Sequence, residues 1–242
     1  MIFFVIIAIF FAAFAGGAFA LRFQDKLHLF LGFSAGAIIG AALFNLLPEA
    51  LEQASGVLSV TSITGIIAAG FIIYMMFDRL VLFHPYIHDD CQNHHHQNQG
   101  ALGATTLALH SILDGLAIGW AFQSSEAVGL VVAIAIIIHR FSDGINIVGF
   151  ILKAKQSGSR AKNWLILIAI APIAGLLIAY FIRLPEEILL GPILAFFGGS
   201  FLYMGASELL PESHHEHSTK MTSLMTILGF LVIYLAVLIG HG

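Results

Sequence analysis

The sequence predicts an all-α integral membrane protein with eight transmembrane helices. Hydrophobic residues make up 59% of the chain and charged residues only 10%, whereas soluble domains carry roughly 25% charged residues. The charges lie in short clusters between eight apolar segments, which come close to the roughly 20 residues that a helix needs to cross the hydrocarbon core. The apolar runs are continuous rather than alternating, so they do not fit the strands of a membrane β-barrel.

The eight predicted spans follow one another along the chain with polar connections. In order they are Ile2–Leu21, Leu29–Leu51, Ile63–Phe83, Ala101–Phe122, Ala127–Leu152, Trp164–Ile182, Ile188–Leu210 and Met221–Gly240. The first could be a signal peptide, since it ends in the small-residue pattern Ala18-Phe19-Ala20. It lacks a basic region before the apolar run and is long enough to fill a bilayer, so we interpret it as a mature helix. No soluble domain is predicted, and residues 1–242 are expected to form a single transmembrane domain.

Basic residues predict the orientation of the helices. They flank the loops between spans one and two, three and four, five and six, and seven and eight: Arg22, Lys26, Arg79, Lys153, Lys155, Arg160, Lys162 and Lys220. Because cytoplasmic loops carry the excess of basic residues, both termini are predicted to be extracytoplasmic. No targeting signal is recognised, so the plasma membrane is the default location, with an intracellular membrane as the alternative for a eukaryotic source. The net charge of −4 gives no indication of nucleic-acid binding, and the single Cys91 excludes an internal disulfide.

The sequence contains an inverted repeat. A shift of 163 residues aligns span two with span seven, and a shared Leu-Leu-Pro-Glu begins at Leu46 in one and at Leu209 in the other. An odd number of spans lies between the copies, so they run in opposite directions, which is typical of secondary transporters. Spans four and five form a second antiparallel pair with related motifs. The predicted arrangement is three helices, two central helices and three more (3+2+3).

Each central span carries a histidine and an aspartate four residues apart, followed by a glycine. The pairs are His110 with Asp114 and His139 with Asp143. Residues four apart project from one helix face, and both pairs fall near the middle of their spans, where an ionisable group costs several kcal/mol and marks a functional site. Two imidazoles and two carboxylates suit zinc, Fe(II), cobalt or manganese. The glycines that follow would let the two central helices approach closely.

Other functions stay open at this point. Each His–Asp pair could be a hydrogen-bonded couple that only stabilises the bundle, and the same residues could relay protons. A zinc-dependent intramembrane hydrolase is the main alternative from another class, because His and Asp ligands around an open metal position can activate water. The chain has no HExxH motif, and its symmetry fits alternating access better than a one-sided active site. We therefore expect a transporter rather than an enzyme, with a metal-responsive receptor as a third option.

Together these features resemble the ZIP (Zrt/Irt-like protein) family of divalent metal transporters. The likeness rests on the eight spans, the His-rich loop between spans three and four, HSILDG in span four, HRFSD in span five and the two Leu-Leu-Pro-Glu segments. It implies a transport site of His110, Asp114, His139 and Asp143, with flux into the cytoplasm and the metal as cargo rather than cofactor. Zinc is the first choice, with Fe2+, Mn2+ and Cd2+ not separated from it. The oligomeric state is left open, with a homodimer among the options.

Two positions depart from the family pattern. Many members have an asparagine and an acid directly after the two histidines and bind a second metal, but here these places hold Ser111 and Arg140, so a second metal is not expected. A cation inside a span needs a counter-charge, which Asp143 or Asp114 could supply. We hypothesise that Arg140 is a gate charge that metal entry displaces. The alternative is that it lines a water-filled vestibule.

Further candidates lie near the ends of spans and in two polar stretches. Pro48 and Pro211 are predicted to bend or end spans two and seven. Beside them are residues that could collect cations or complete helix ends: Asn45, Glu49, Glu208 and Glu212. Residues 84–100 form a predicted His-rich cytoplasmic loop, and a second tract follows span seven. Low-affinity metal contacts, rather than passive linkers, are expected at His94, His95, His96, His214, His215 and His217.

Overall fold

The computed structural model describes residues 2–22, 27–83, 96–153, 158–183, 190–215 and 220–241, and in these ranges the chain is helical with short turns and no strand. The helices are α1 (Ile2–Arg22), α2 (Leu27–Ala41), α3 (Leu47–Gln53), α4 (Val60–Phe83), α5 (His96–Ser124), α6 (Glu126–Lys153), α7 (Gly158–Phe181), α8 (Gly191–Tyr203), α9 (Leu210–His215) and α10 (Lys220–His241). A π-helical segment joins α2 to α3, and another joins α8 to α9. Each of these composite helices is one predicted span, so the described helices account for all eight.

Seven of these helical stretches are long and apolar enough to cross a membrane, and the chain is a multi-pass membrane protein. The one predicted span that is not among these seven is the fourth, α5, which has 29 residues and is the least apolar of the long helices. This helix begins at His96, five residues before the predicted span, and takes in the end of the predicted loop 84–100. An apolar run marks only the part of a helix that lies in hydrocarbon, whereas backbone hydrogen bonds let the helix continue into polar sequence. Residues 84–95 lie outside the described residues.

The two prolines neither break nor end spans two and seven. The π-helical segments Ala42–Leu46 and Met204–Leu209 lie just before Pro48 and Pro211, and the helix continues beyond each of them. In the first copy the Leu47 amide donates to the Ala42 carbonyl, and in the second the Leu210 amide donates to the Gly205 carbonyl. A π turn widens the helix by one residue, which accommodates a ring that has no amide hydrogen to donate. Both copies of the repeat therefore accommodate their proline with a π-helical turn.

Glycines bring each central helix against an outer helix. The closely packed pairs are α6 with α1 and α5 with α7. A Cβ added to Gly144 would overlap the backbone carbonyl of Ala13, and one added to Gly115 would overlap that of Pro172. The expectation that these glycines bring α5 and α6 together is therefore wrong. Each glycine follows its aspartate by one residue, about 100° around the helix, so it faces an outer helix while the aspartate faces the other central helix.

Matching contacts occur in the two halves of the chain. Gly36 on α2 lies against the Thr226 carbonyl on α10, and Gly199 on α8 lies against the Ile67 carbonyl on α4. The two glycines are related by the predicted shift of 163 residues. The 3+2+3 arrangement stays a prediction, and these paired contacts are what an inverted repeat requires.

Candidate metal site

Four predicted ligands meet between α5 and α6. His110 and Asp114 lie one turn apart on α5, and His139 and Asp143 lie one turn apart on α6. One ligand atom from each residue lies within 4.8 Å of all the others, and none of the four side chains is more than about one-twentieth exposed. Because the two helices are antiparallel and adjacent, the two i,i+4 pairs face each other at one depth.

The spacing of the facing atoms suits a tetrahedral metal ion. Nε2 of His110 lies 3.1 Å from Nε2 of His139, and each Nε2 faces Oδ1 of the aspartate on its own helix, at 3.5 Å for Asp114 and 3.1 Å for Asp143. Zinc bound to nitrogen and oxygen at about 2.0–2.2 Å places neighbouring ligand atoms about 3.3–3.6 Å apart in a tetrahedron. These three distances are close to that spacing, and all four ligand atoms lie within 4.8 Å of one another, so the cluster could hold one ion with two nitrogens and two oxygens.

Arg140 occupies the other side of both carboxylates. The side chain is completely buried, and its Nη1 lies 2.5 Å from Oδ2 of Asp143 and 3.5 Å from Oδ2 of Asp114. Nη1 also donates to Ser111 Oγ at 2.6 Å, and Nη2 donates to the Ile168 carbonyl on α7 at 2.6 Å. Both expected counter-charges are thus beside the guanidinium. Oδ1 of each aspartate faces a histidine and Oδ2 faces the arginine, so each carboxylate has one oxygen on the histidine side of the cluster.

Tyr74 on α4 contacts the candidate ligand His110, although the sequence did not predict this. Its hydroxyl oxygen lies 2.5 Å from Nδ1 of His110, and both side chains are buried. Tyr203 on α8 packs against the Tyr74 ring at 5.7 Å between centroids and donates its hydroxyl to Asp78 at 2.8 Å. The available signal was a phenol within a long apolar span, since a buried tyrosine hydroxyl usually has a hydrogen-bonding partner.

The remaining pathway candidates lie in two regions: Asn45 and Glu49 are near the end of α5 and the start of α6, and Glu208 and Glu212 are in the second π segment and α9. Asn45 is buried and donates to the Val128 carbonyl near the start of α6. Glu49 accepts hydrogen bonds from Gln53, at 2.8 Å, and from Ser124 at the end of α5. Glu208, in the second π segment, is half-buried, whereas Glu212 is exposed. The structure therefore places Arg140 against the two aspartates and bonds Ser111 to Arg140, and it places Asn45 and Glu49 near the end of α5 and the start of α6.

The histidines of the polar stretches contribute no described metal cluster. His94, His95 and His217 lie outside the described residues, and the side chains of His96 and His215 are likewise outside them. His214 is half-buried, and its Nδ1 lies 3.0 Å from the Leu210 carbonyl one turn earlier. Ser213 Oγ lies at the same distance from this nitrogen. The described contacts of His214 are thus within its own helix, and metal contact at these histidines stays a prediction.

Comparison with known proteins shows the family of this chain. The ZIP zinc transporter family model matches residues 87–236, which include all four candidate ligands. Zinc transporter ZIP9 of Xenopus tropicalis is 26% identical over 191 residues, covering 71% of this chain and 63% of that protein. Zinc transporter YKE4 of Saccharomyces cerevisiae is 31% identical over 140 residues, covering 49% of this chain and 40% of that protein. Zinc transporter SLC39A7 of Homo sapiens is 28% identical over 150 residues, covering 59% of this chain and 32% of that protein. The matched region thus covers less than two thirds of each relative. Since the family match extends over more than half of the sequence, the chain belongs to the ZIP zinc transporter family.

Proposed function

We propose that this protein carries a divalent transition metal, zinc in the first place, across a membrane through the site formed by His110, Asp114, His139 and Asp143. The observation that carries the proposal is the convergence of two imidazole nitrogens and two carboxylate oxygens inside a membrane-spanning bundle. Such groups are costly in a bilayer unless they pair or serve a transported ion. The ligands replace the hydration shell of the ion, and no covalent chemistry is needed.

The fold suits transport by alternating access. The ligands come from α5 and α6, and each of these helices is closely packed against a different outer helix through Gly115 or Gly144. Movement of one packed pair relative to the other would open the site toward one membrane face at a time. We propose flux into the cytoplasm, extracytoplasmic termini and a plasma-membrane location, as the basic loops and the family resemblance indicate.

Accessory residues extend the proposal along the pathway. Glu208 and Glu212 are candidates for cation-collecting acids on the side of α9, and Asn45 and Glu49 are candidates at the opposite end. Arg140 is proposed as a gate charge: it neutralises the two aspartates in the metal-free protein, and an arriving ion weakens that pairing. The buried position of the guanidinium and its contact with both carboxylates support this role over that of lining a water-filled vestibule.

The intramembrane hydrolase is the weaker candidate. A catalytic zinc site keeps one coordination position open for water, whereas here four protein atoms are available for a tetrahedral ion. Membership of a family of zinc transporters also favours a carrier over an enzyme.

Zinc uptake into proteoliposomes tests the proposal. We expect saturable 65Zn uptake by the wild type and its loss in a His110→Ala/Asp143→Ala variant that elutes as a folded, monodisperse protein. Glu126→Gln is the matched control, because Glu126 is exposed at the start of α6 and is not assigned to the pathway. Equal uptake by the wild type and the double variant would contradict a route through this site. Uptake of Fe2+, Mn2+ and Cd2+ in the same vesicles measures selectivity.

A further inference from the structure

The two histidines of the site differ in their outer contacts. Nδ1 of His110 has the Tyr74 hydroxyl at 2.5 Å, whereas Nδ1 of His139 is buried and has no hydrogen-bond partner among the described residues. The remaining ring nitrogens, Nε2 in both cases, face each other at 3.1 Å. One imidazole is therefore held at both ends and the other at one end.

The chemistry of imidazole assigns the direction of the Tyr74 contact. A histidine that binds a metal through Nε2 needs a lone pair there, so its proton is on Nδ1. That N–H needs an acceptor, and the tyrosine oxygen is in place to accept it. Histidine ligands in metalloproteins commonly donate their second nitrogen to such a partner, which fixes both the tautomer and the ring orientation.

The inverted repeat explains why His139 lacks such a partner. Gly70-Phe71-Ile72-Ile73-Tyr74 on α4 aligns with Gly229-Phe230-Leu231-Val232-Ile233 on α10. The alignment is also structural, because Gly70 lies against the Phe196 carbonyl and Gly229 against that of Phe33, two residues that are 163 positions apart. The counterpart of Tyr74 is therefore Ile233, which cannot accept a hydrogen bond.

Tyr74 also connects the site to a second pair of helices. Its helix α4 contacts α8 backbone to backbone at Gly70 and Gly199, and Tyr203 of α8 packs against the Tyr74 ring. Far fewer residues meet between α4 and α5, the helix that carries His110. The hydroxyl contact thus crosses a sparsely packed boundary between the α4–α8 pair and the α5 ligands.

On these grounds, and resting on the proposed function, we propose that Tyr74 is a positioning residue that holds His110 in the Nδ1–H tautomer and couples this one ligand to the α4–α8 pair. His139 is not held in this way, so the two halves of the ligand set respond differently when the helices move.

The test compares Tyr74→Phe with Tyr180→Phe. The first variant keeps the ring and removes the hydroxyl, and the second removes a hydroxyl from a side chain that is 68% exposed. Metal-free 15N-histidine protein gives the tautomer by NMR, with the His110 signals assigned from a His110→Gln variant. Calorimetry with Co2+ and with Zn2+ gives the Kd.

We expect Tyr74→Phe to lose the dominant Nδ1–H signature and to weaken metal binding roughly ten- to a hundred-fold, as for other outer partners of histidine ligands. Tyr180→Phe should match the wild type in both readouts. An unchanged tautomer, or an unchanged Kd, would overturn the proposal. The NMR comparison needs neither metal nor transport, so it tests the role of Tyr74 even if the wild-type protein transports no zinc. Absence of zinc transport by the wild type would instead overturn the proposed function.

Discussion

Replacing Arg140 with methionine is expected to tighten metal binding and to slow metal release. One guanidinium nitrogen contacts both aspartates from the side opposite the histidines. With metal–ligand bonds of about 2.0–2.2 Å, an ion in the site would lie about 5 Å from this nitrogen. Coulomb's law then gives a repulsion of about 1.7 kcal/mol in water and about 7 kcal/mol at an effective dielectric constant of about 20. The lower value already corresponds to roughly a fifteen-fold lower Kd.

Zinc titration by calorimetry measures this Kd, and the rate of 65Zn efflux from preloaded vesicles measures release. Arg183→Met is the matched control, because Arg183 is exposed at the end of span six. Removing one partner of a buried ion pair also costs about 3–5 kcal/mol of stability, so a second variant, Arg140→Lys, keeps the charge and should keep a Kd closer to that of the wild type. An unchanged or higher Kd in folded Arg140→Met, or equal tightening in Arg140→Lys, would refute the electrostatic reasoning.

Three further predictions concern stability. Gly144→Ala should destabilise the protein, because the added Cβ would overlap the Ala13 carbonyl. Gly65→Ala is the control: its Cβ would meet nothing within 4 Å, and the higher helix propensity of alanine should stabilise the protein by up to about 1 kcal/mol. Equal shifts of the two melting curves in detergent would contradict this. Ser111→Ala should cost about 1.5–3 kcal/mol through its lost bond to Arg140, measured by denaturant unfolding, and no change in the midpoint would show that bond to be unimportant. Asn45→Ala should cost about 1 kcal/mol through its lost bond to Val128 and leave the zinc Kd unchanged, so a weaker Kd would place Asn45 at the site.

The sequence was sufficient for the features that depend on local spacing. Apolar length located the spans, and i,i+4 spacing placed His110 and Asp114 on one face, since both follow from helix geometry. The neighbours of a helix depend instead on how whole helices pack, which spacing does not determine. For that reason the sequence did not indicate that Gly115 approaches Pro172 of α7, or that Tyr74 reaches His110 across a gap between helices.

The contact of one arginine with two aspartates also has an electrical consequence for transport. With both imidazoles neutral, Arg140, Asp114 and Asp143 sum to one negative charge, and a divalent ion changes this to one positive charge. Moving one elementary charge across a membrane potential changes its free energy by about 2.3 kcal/mol per 100 mV. A potential that is negative on the receiving side would therefore favour inward opening of the loaded site and outward return of the empty one. Zinc uptake should accelerate when valinomycin and a potassium gradient make the vesicle interior negative, and equal rates at both polarities would show that the site moves no charge.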